Sequence, residues 1–320
     1  MTQNTIEFMP KILLENVQEN AEEWHKLRLR KVSASNIATL IGLNPFRSPL
    51  EAWAEWTARV PSTFNGNRST ALGVALEPLV AKWFSEETGL ETKHVNTLYG
   101  DAELDWLVCT PDYEVLQCEG APLEVKTGNP RQAQKWVDGA PLEYVLQVQV
   151  QLHVLKKTGG YLCGMLGDPN DIKIVEIDYD KNLVEMALEK ASSFLECVER
   201  DIPPVAGAGD AALLRRLIGE REKTTLMVDG EQAEELALLV ASLRDVTGAL
   251  KSLNETAKSY SVELERSKKE KENRIRQLLG TAEAAQLPDG RVVRVSTVKV
   301  GEKVVGAYSY EKIVLPRTKN

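Results

Sequence analysis

Apolar residues change their spacing at Pro203-Pro204 and the small-residue stretch Ala206-Gly207-Ala208-Gly209, so the chain must fold as two unlike parts. Beyond that point apolar or small side chains recur at Leu236, Leu239, Leu243, Val246, Leu250, Leu253, Ala257, Tyr260 and Leu264, in alternating steps of three and four. This is the spacing of a coiled-coil seam. The mostly charged segment 267–276 interrupts it, and Pro288-Asp289-Gly290 then turns into an alternating strand at 291–298, with a further short strand near Val304. The reading is a domain at 1–205 and a helical extension at 206–320, with its seam at 231–280 and a small β hairpin after it.

Before the boundary the spacing switches between helix and strand. Helices are expected from residue 21, at 36–41 with Ser35 as its cap, at 48–58 with Pro49 in its first turn, and at 71–88 ending at Gly89. Strands follow at 97–99, 107–110 and 122–127, then helices at 132–137 and 141–155, strands at 160–165 and 172–177, and a helix at 182–200. Helices followed by a sheet that helices cross define an α/β domain.

The net charge of −8 is uneven: residues 1–205 hold 19 Lys+Arg against 30 Asp+Glu, or −11, and 206–320 hold 20 against 17, or +3. Acidity of this kind is either a solvated surface or a carboxylate site balanced by divalent cations. The four cysteines form no C-x-x-C pair and the three histidines stand apart, which argues against zinc. No apolar run approaches the roughly 20 residues that span a bilayer, and the first residues lack a basic, then apolar, leader. A cytoplasmic location without membrane contact is expected.

Three segments can supply a carboxylate cluster: Glu77 on the 71–88 helix, Asp112 after Pro111 at a strand end, and Glu124-Val125-Lys126 on the next strand. Residues two apart on a strand share a face, so Glu124 and Lys126 project together while Val125 faces the core and can offer its carbonyl to a metal. Pro111-Asp112 followed by Glu124-x-Lys126 is the PD-(D/E)xK arrangement. Two-metal phosphodiester cleavage needs such converging carboxylates and a group that acts on the attacking water. An isolated E-x-K is as common on a solvated strand, but this strand is otherwise apolar. Gln147 and Gln149 on the following helix could orient a phosphate or water without adding charge, whereas Gln151 reads as part of a polar helix face. Arg28, Ser33 and Ser35, at a loop entering a helix, suit a phosphate, or equally, taken singly, simple N-capping beside a surface arginine.

The run Trp24 to Leu29 through Ser33-Ala34-Ser35, Gly73-x-x-x-Glu77-Pro78, Thr110-Pro111-Asp112, Leu123-Glu124-Val125-Lys126 and Gln147-Val148-Gln149 together resemble the YqaJ-type phage recombinase nucleases of the PD-(D/E)xK superfamily, the group of phage lambda exonuclease. The resemblance covers residues 20–205. It implies a restriction-endonuclease-like core, a mixed central sheet flanked by helices. It also implies Mg²⁺-dependent (or Mn²⁺-dependent) 5′-to-3′ digestion of one strand from a double-stranded DNA end, in a phage or prophage recombination system that feeds a single-strand annealing protein. By position, Glu77, Asp112, Glu124 and the Val125 carbonyl would hold metal, Lys126 would act on the water, and Arg28, Ser35, Thr110 and Gln149 would bind a 5′-phosphate. A ring-shaped trimer is implied as well. One departure is Tyr113 after Asp112, where the family usually has glycine; the bulky residue is expected to reshape that turn. Two other readings stay open: an endonuclease or structure-specific nuclease using the same cluster, and an inactive DNA-end-binding scaffold.

Overall fold

The computed structural model describes residues 9–61, 68–219, 224–300 and 308–314. The chain forms two compact units, Met1–Glu222 and Lys223–Asn320. The first opens with strand β1 (Lys11–Glu15), helix α1 (Ala21–Arg28), the two-residue strand β2 (Val32–Ser33) and helices α2 (Ile37–Leu40), α3 (Pro49–Trp56) and α4 (Arg68–Thr88). Strands β3 (Thr92–His94), β4 (Thr97–Gly100), β5 (Leu107–Cys109), β6 (Tyr113–Val115) and β7 (Ala121–Gly128) follow. Helices α5 (Pro130–Ala133) and α6 (Leu142–Leu155), strands β8 (Gly159–Leu166) and β9 (Ile172–Asp178), and helices α7 (Lys181–Glu199) and α8 (Ala211–Ile218) complete the unit.

The central sheet has the order β3-β6-β7-β8-β9. It is mixed: β7 and β8 run parallel, joined through α5 and α6, and the other pairs are antiparallel. Strand alternation sends Leu123 and Val125 of β7 to one face, where they pack with Val80, Ala81 and Phe84 of α4. Leu162 of β8 packs on the other face against Val148 and Leu152 of α6 and against Trp136. A second sheet, β1-β4-β5-β2, has β2 parallel to β5, with Ser33 opposite Val108. A third core joins α2, α3, α6 and α7 around Ile37, Trp53, Val150 and Phe194. The unit is thus an α/β fold with a mixed central sheet covered by helices on both faces.

Several elements escape the sequence reading. The strands β1, β2 and β6 are two to five residues long and carry too few alternations to register as a period. The segment expected as a helix at 132–137 divides into α5, started by the Asn129 capping box, and a 3₁₀ turn, Gln134–Trp136. Ser35 does not cap α2. Asn36 stands at that cap, its amide bridging Ser33 N (2.8 Å) and Lys31 O (3.1 Å), which leaves the Ser35 hydroxyl for Arg28.

The compact unit also runs past the boundary expected at 205. Leu213, Leu214 and Leu217 of α8 pack on the α3/α7 core, and the buried Asp210 accepts from Ser48 Oγ at 2.6 Å and from Gly207 N at 2.7 Å.

The second unit holds helix α9 (Gly230–Leu279) and the antiparallel sheet β10 (Ala284–Gln286), β11 (Val292–Val300) and β12 (Tyr308–Val314). The strand expected near Val304 lies outside the described residues. Among the described residues no helix is long and apolar enough to cross a membrane.

Candidate functional site

The site grows from β7. Leu123 and Val125 are committed to the α4 face, so Glu124 and Lys126 emerge toward α6. Glu124 is buried, with its side chain 3% exposed, and among the described residues the hydrogen bonds to its carboxylate come from Lys126 and α6. Lys126 Nζ donates to Glu124 Oε1 at 2.5 Å and to Gln147 Oε1 at 2.9 Å. Gln147 Nε2 also donates to Glu124 Oε1 (2.5 Å), and Gln151 Nε2 to Glu124 Oε2 (2.6 Å). The Tyr144 ring lies 5.3 Å from Lys126 Nζ. On the neighbouring backbone, Val125 N donates to Asp112 Oδ2 at 2.8 Å.

Charge ties the fourth residue to this group. Burial and then Glu124 raise the Glu77 carboxyl above its ordinary value, against Lys126. Burial, then Glu124, and to a lesser degree Glu77, push Asp112 well above the usual carboxylate range against Lys126 and the Val125 N–H. Burial pulls the Lys126 ammonium down, but Glu124 and Asp112 outweigh it and hold it above its usual value.

Among the described residues no three His, Cys, Asp or Glu side chains stand grouped as a ready metal cage. The donor chemistry nonetheless fits a hard divalent cation: three carboxylates repel one another in a buried setting that holds one ammonium, and all offer oxygen.

Tyr113 leaves the Asp112 turn intact. It lies in β6 opposite Leu123, its backbone is extended, and its ring is buried in the α4 core, edge-on to His94 at 5.4 Å. Extended backbone accepts any side chain, so glycine is not needed there.

A second cluster sits where β2 meets β5. Arg28 Nη2 donates to Ser33 Oγ at 3.1 Å and to Ser35 Oγ at 2.8 Å, and the two hydroxyls are 3.1 Å apart. The guanidinium stacks on Trp24 at 4.1 Å, and Trp24 Nε1 donates to Thr110 Oγ1 at 3.2 Å. Burial holds Arg28 below its ordinary pKa. No carboxylate pairs with Arg28 among the described residues. A half-buried cation beside two hydroxyls is arranged for an anion. Thr110 stands two residues before Asp112, at most about 7 Å along the chain, so this cluster and the carboxylates adjoin.

Gln149 joins neither cluster. Its Nε2 donates to Asp178 O (2.7 Å) and its Oε1 accepts from Asp180 N (2.9 Å), which fastens α6 to the junction of β9 and α7. On a helix, residue 149 lies about 200° from 147, whereas 151 lies about 40° from it. Burial overturns the reading of Gln151 as part of a polar helix face: it is fully buried against Glu124, and its Oε1 has no partner among the described residues. The i, i+4 spacing of Gln147 and Gln151, and of Trp24 and Arg28, is the signal that could have found both Gln151 and Trp24.

Residues 23–160 match the family described as the YqaJ-like viral recombinase domain. Among individual proteins, the chain is 27% identical over 186 residues to the uncharacterized protein YqaJ of Bacillus subtilis (strain 168), covering 57% of this chain and 58% of the relative's length. It is similar to the crystal structure of an alkaline exonuclease, LHK-Exo, from Laribacter hongkongensis, with 24% identity, a TM-score of 0.48, 57% of this chain and 94% of that one covered. It is also similar to a phage related exonuclease from Haemophilus somnus 129PT, with 18% identity, a TM-score of 0.42, and 56% and 98% covered.

Proposed function

We propose that this protein is a metal-dependent deoxyribonuclease that digests linear duplex DNA from a 5′-phosphorylated end, in the 5′-to-3′ direction. The observation that supports this best is the adjacency of an unpaired Arg28–Ser33–Ser35 anion cluster and a Glu77/Asp112/Glu124/Lys126 cleavage cluster, joined through Thr110-Pro111-Asp112. An endonuclease needs only the second of these; a terminal phosphate gives a use for the first.

Glu77, Asp112, Glu124 and the Val125 carbonyl would hold Mg²⁺ or Mn²⁺. A bound divalent ion supplies charge neutralisation at the phosphate and an acidified water. The remaining work falls to the chain. Lys126, protonated beside two carboxylates, donates a hydrogen bond to the attacking water or the departing oxygen from Nζ and holds it in line. Gln147 bridges Lys126 and Glu124, so the two move as one unit. Arg28 and the hydroxyls of Ser33, Ser35 and Thr110 hold the terminal phosphate and fix which bond lies at the carboxylates. Digestion of one strand leaves single-stranded DNA, the material on which a strand-annealing protein acts, in line with the recombinase family.

The test compares 5′-phosphorylated linear, 5′-hydroxyl linear and covalently closed circular duplex, each with Mg²⁺. Rapid loss of the phosphorylated linear DNA, slower loss of the hydroxyl form and survival of the circle are expected, with Lys126→Ala losing cleavage while still binding DNA. Equal cutting of the closed circle removes end-dependence, and unchanged activity of Lys126→Ala removes Lys126 from the chemistry.

A further inference from the structure

From residue 234 to 266 every residue of α9 is exposed, the Leu243 and Leu253 seam positions at 67% and 65%. Residues 236–262 hold five charged side chains, Arg244, Asp245, Lys251, Glu255 and Lys258, too few to sustain a solvated helix by ion pairs along its own face. A seam of this length therefore has to be covered by another helix.

The residues flanking the seam indicate which one. With Leu236 as a and Leu239 as d, the e and g positions from 242 to 261 are Ser242, Thr247, Ala249, Asn254, Thr256 and Ser261, all uncharged. A partner of different sequence is usually selected by charge at these positions, and here there is none to select it. An identical chain meets no like charge across them. Immediately beyond, Glu263 at g and Lys268 at e stand five residues apart, the spacing at which two parallel, in-register copies pair g to e in both directions. The antiparallel register that overlaps the whole seam instead brings Glu235 against Glu270 at each end. Lys271 and Arg274 occupy the next a and d positions and end the apolar contact, and Gly248, the weakest helix former in the stretch, falls at f, away from the seam.

We propose that the α9 seam from Leu236 to Leu264 is closed by a second copy of this chain, parallel and in register. The proposal is independent of the nuclease reading, since no residue of α9 belongs to either cluster of the first unit. Sedimentation equilibrium of the 320-residue chain should give a multiple of the chain mass, and the double variant Leu243→Asp/Leu250→Asp should lower it, while Lys251→Ala at the solvent-facing b position leaves it unchanged. Because the aspartates could unwind α9 as well as part it, a second measurement reads contact directly. Under mild oxidation Leu253→Cys should link two copies through position 253, identified by peptide mass, and Lys251→Cys should not. A wild-type monomer, an unchanged mass for the double variant, or no link through position 253 overturns the proposal.

Discussion

Glu124 is the residue on which the candidate site turns, and its surroundings tie function to stability. Three hydrogen bonds reach it, from Lys126, Gln147 and Gln151, yet Gln151 leaves its own Oε1 buried with no partner among the described residues. An orphaned acceptor costs about 1–3 kcal/mol, and an N–H to a carboxylate contributes about as much. Gln151→Leu removes both but leaves the buried Glu124 Oε2 without its donor, so the variant should be less stable than wild type by about 1–3 kcal/mol. Cleavage should fall at least tenfold, because Glu124 is no longer fixed from its Oε2 side. Urea unfolding and initial rates on linear duplex measure the two effects, and full activity in the variant would show that Gln151 does not position Glu124.

At the scale of elements, the chain leaving β7 and the chain leaving β8 touch. Gly167, just after β8, has φ +93°, and a Cβ there would stand 2.8 Å from the backbone N of Pro130 at the start of α5. Neither the left-handed backbone nor the contact with a proline ring tolerates a methyl group. Gly167→Ala should therefore destabilise the protein by more than about 1 kcal/mol, seen as a lower urea midpoint at unchanged slope. A variant as stable as wild type would mean that α5 yields freely. The prediction matters for the site, because α5 leads into α6, which presents Gln147 and Gln151 to Glu124.

For the whole molecule, the three apolar cores found among the described residues and both side-chain clusters lie within Met1–Glu222, and the long seam lies within Lys223–Asn320. A chain ending after Glu222 should retain cooperative unfolding and cleavage of linear duplex while losing association through α9. Thermal unfolding, nuclease assay and sedimentation of the truncated protein check this. Loss of cleavage with folding intact would give the second unit a part in catalysis.

The sequence by itself determined the α/β order of the first unit, the long seam-bearing helix of the second, and the shared face of Glu124 and Lys126, because periods of 2, 3.6 and 3.5 are local properties of a chain. Asp112 could be named from motif spacing, and Glu77 mainly from the family resemblance. That burial and mutual repulsion raise both of their pKa values is a fact of packing. The short strands β1, β2 and β6 were not legible, since two to five residues take their conformation from the strands they pair with. Only the tertiary structure decided that Ser35 serves Arg28 instead of a helix cap, that α8 belongs to the first unit, and that Gln149 fastens α6 to the junction of β9 and α7 while Gln151 reaches Glu124. Each of those depends on which partner stands opposite a side chain, and no spacing along the chain encodes that.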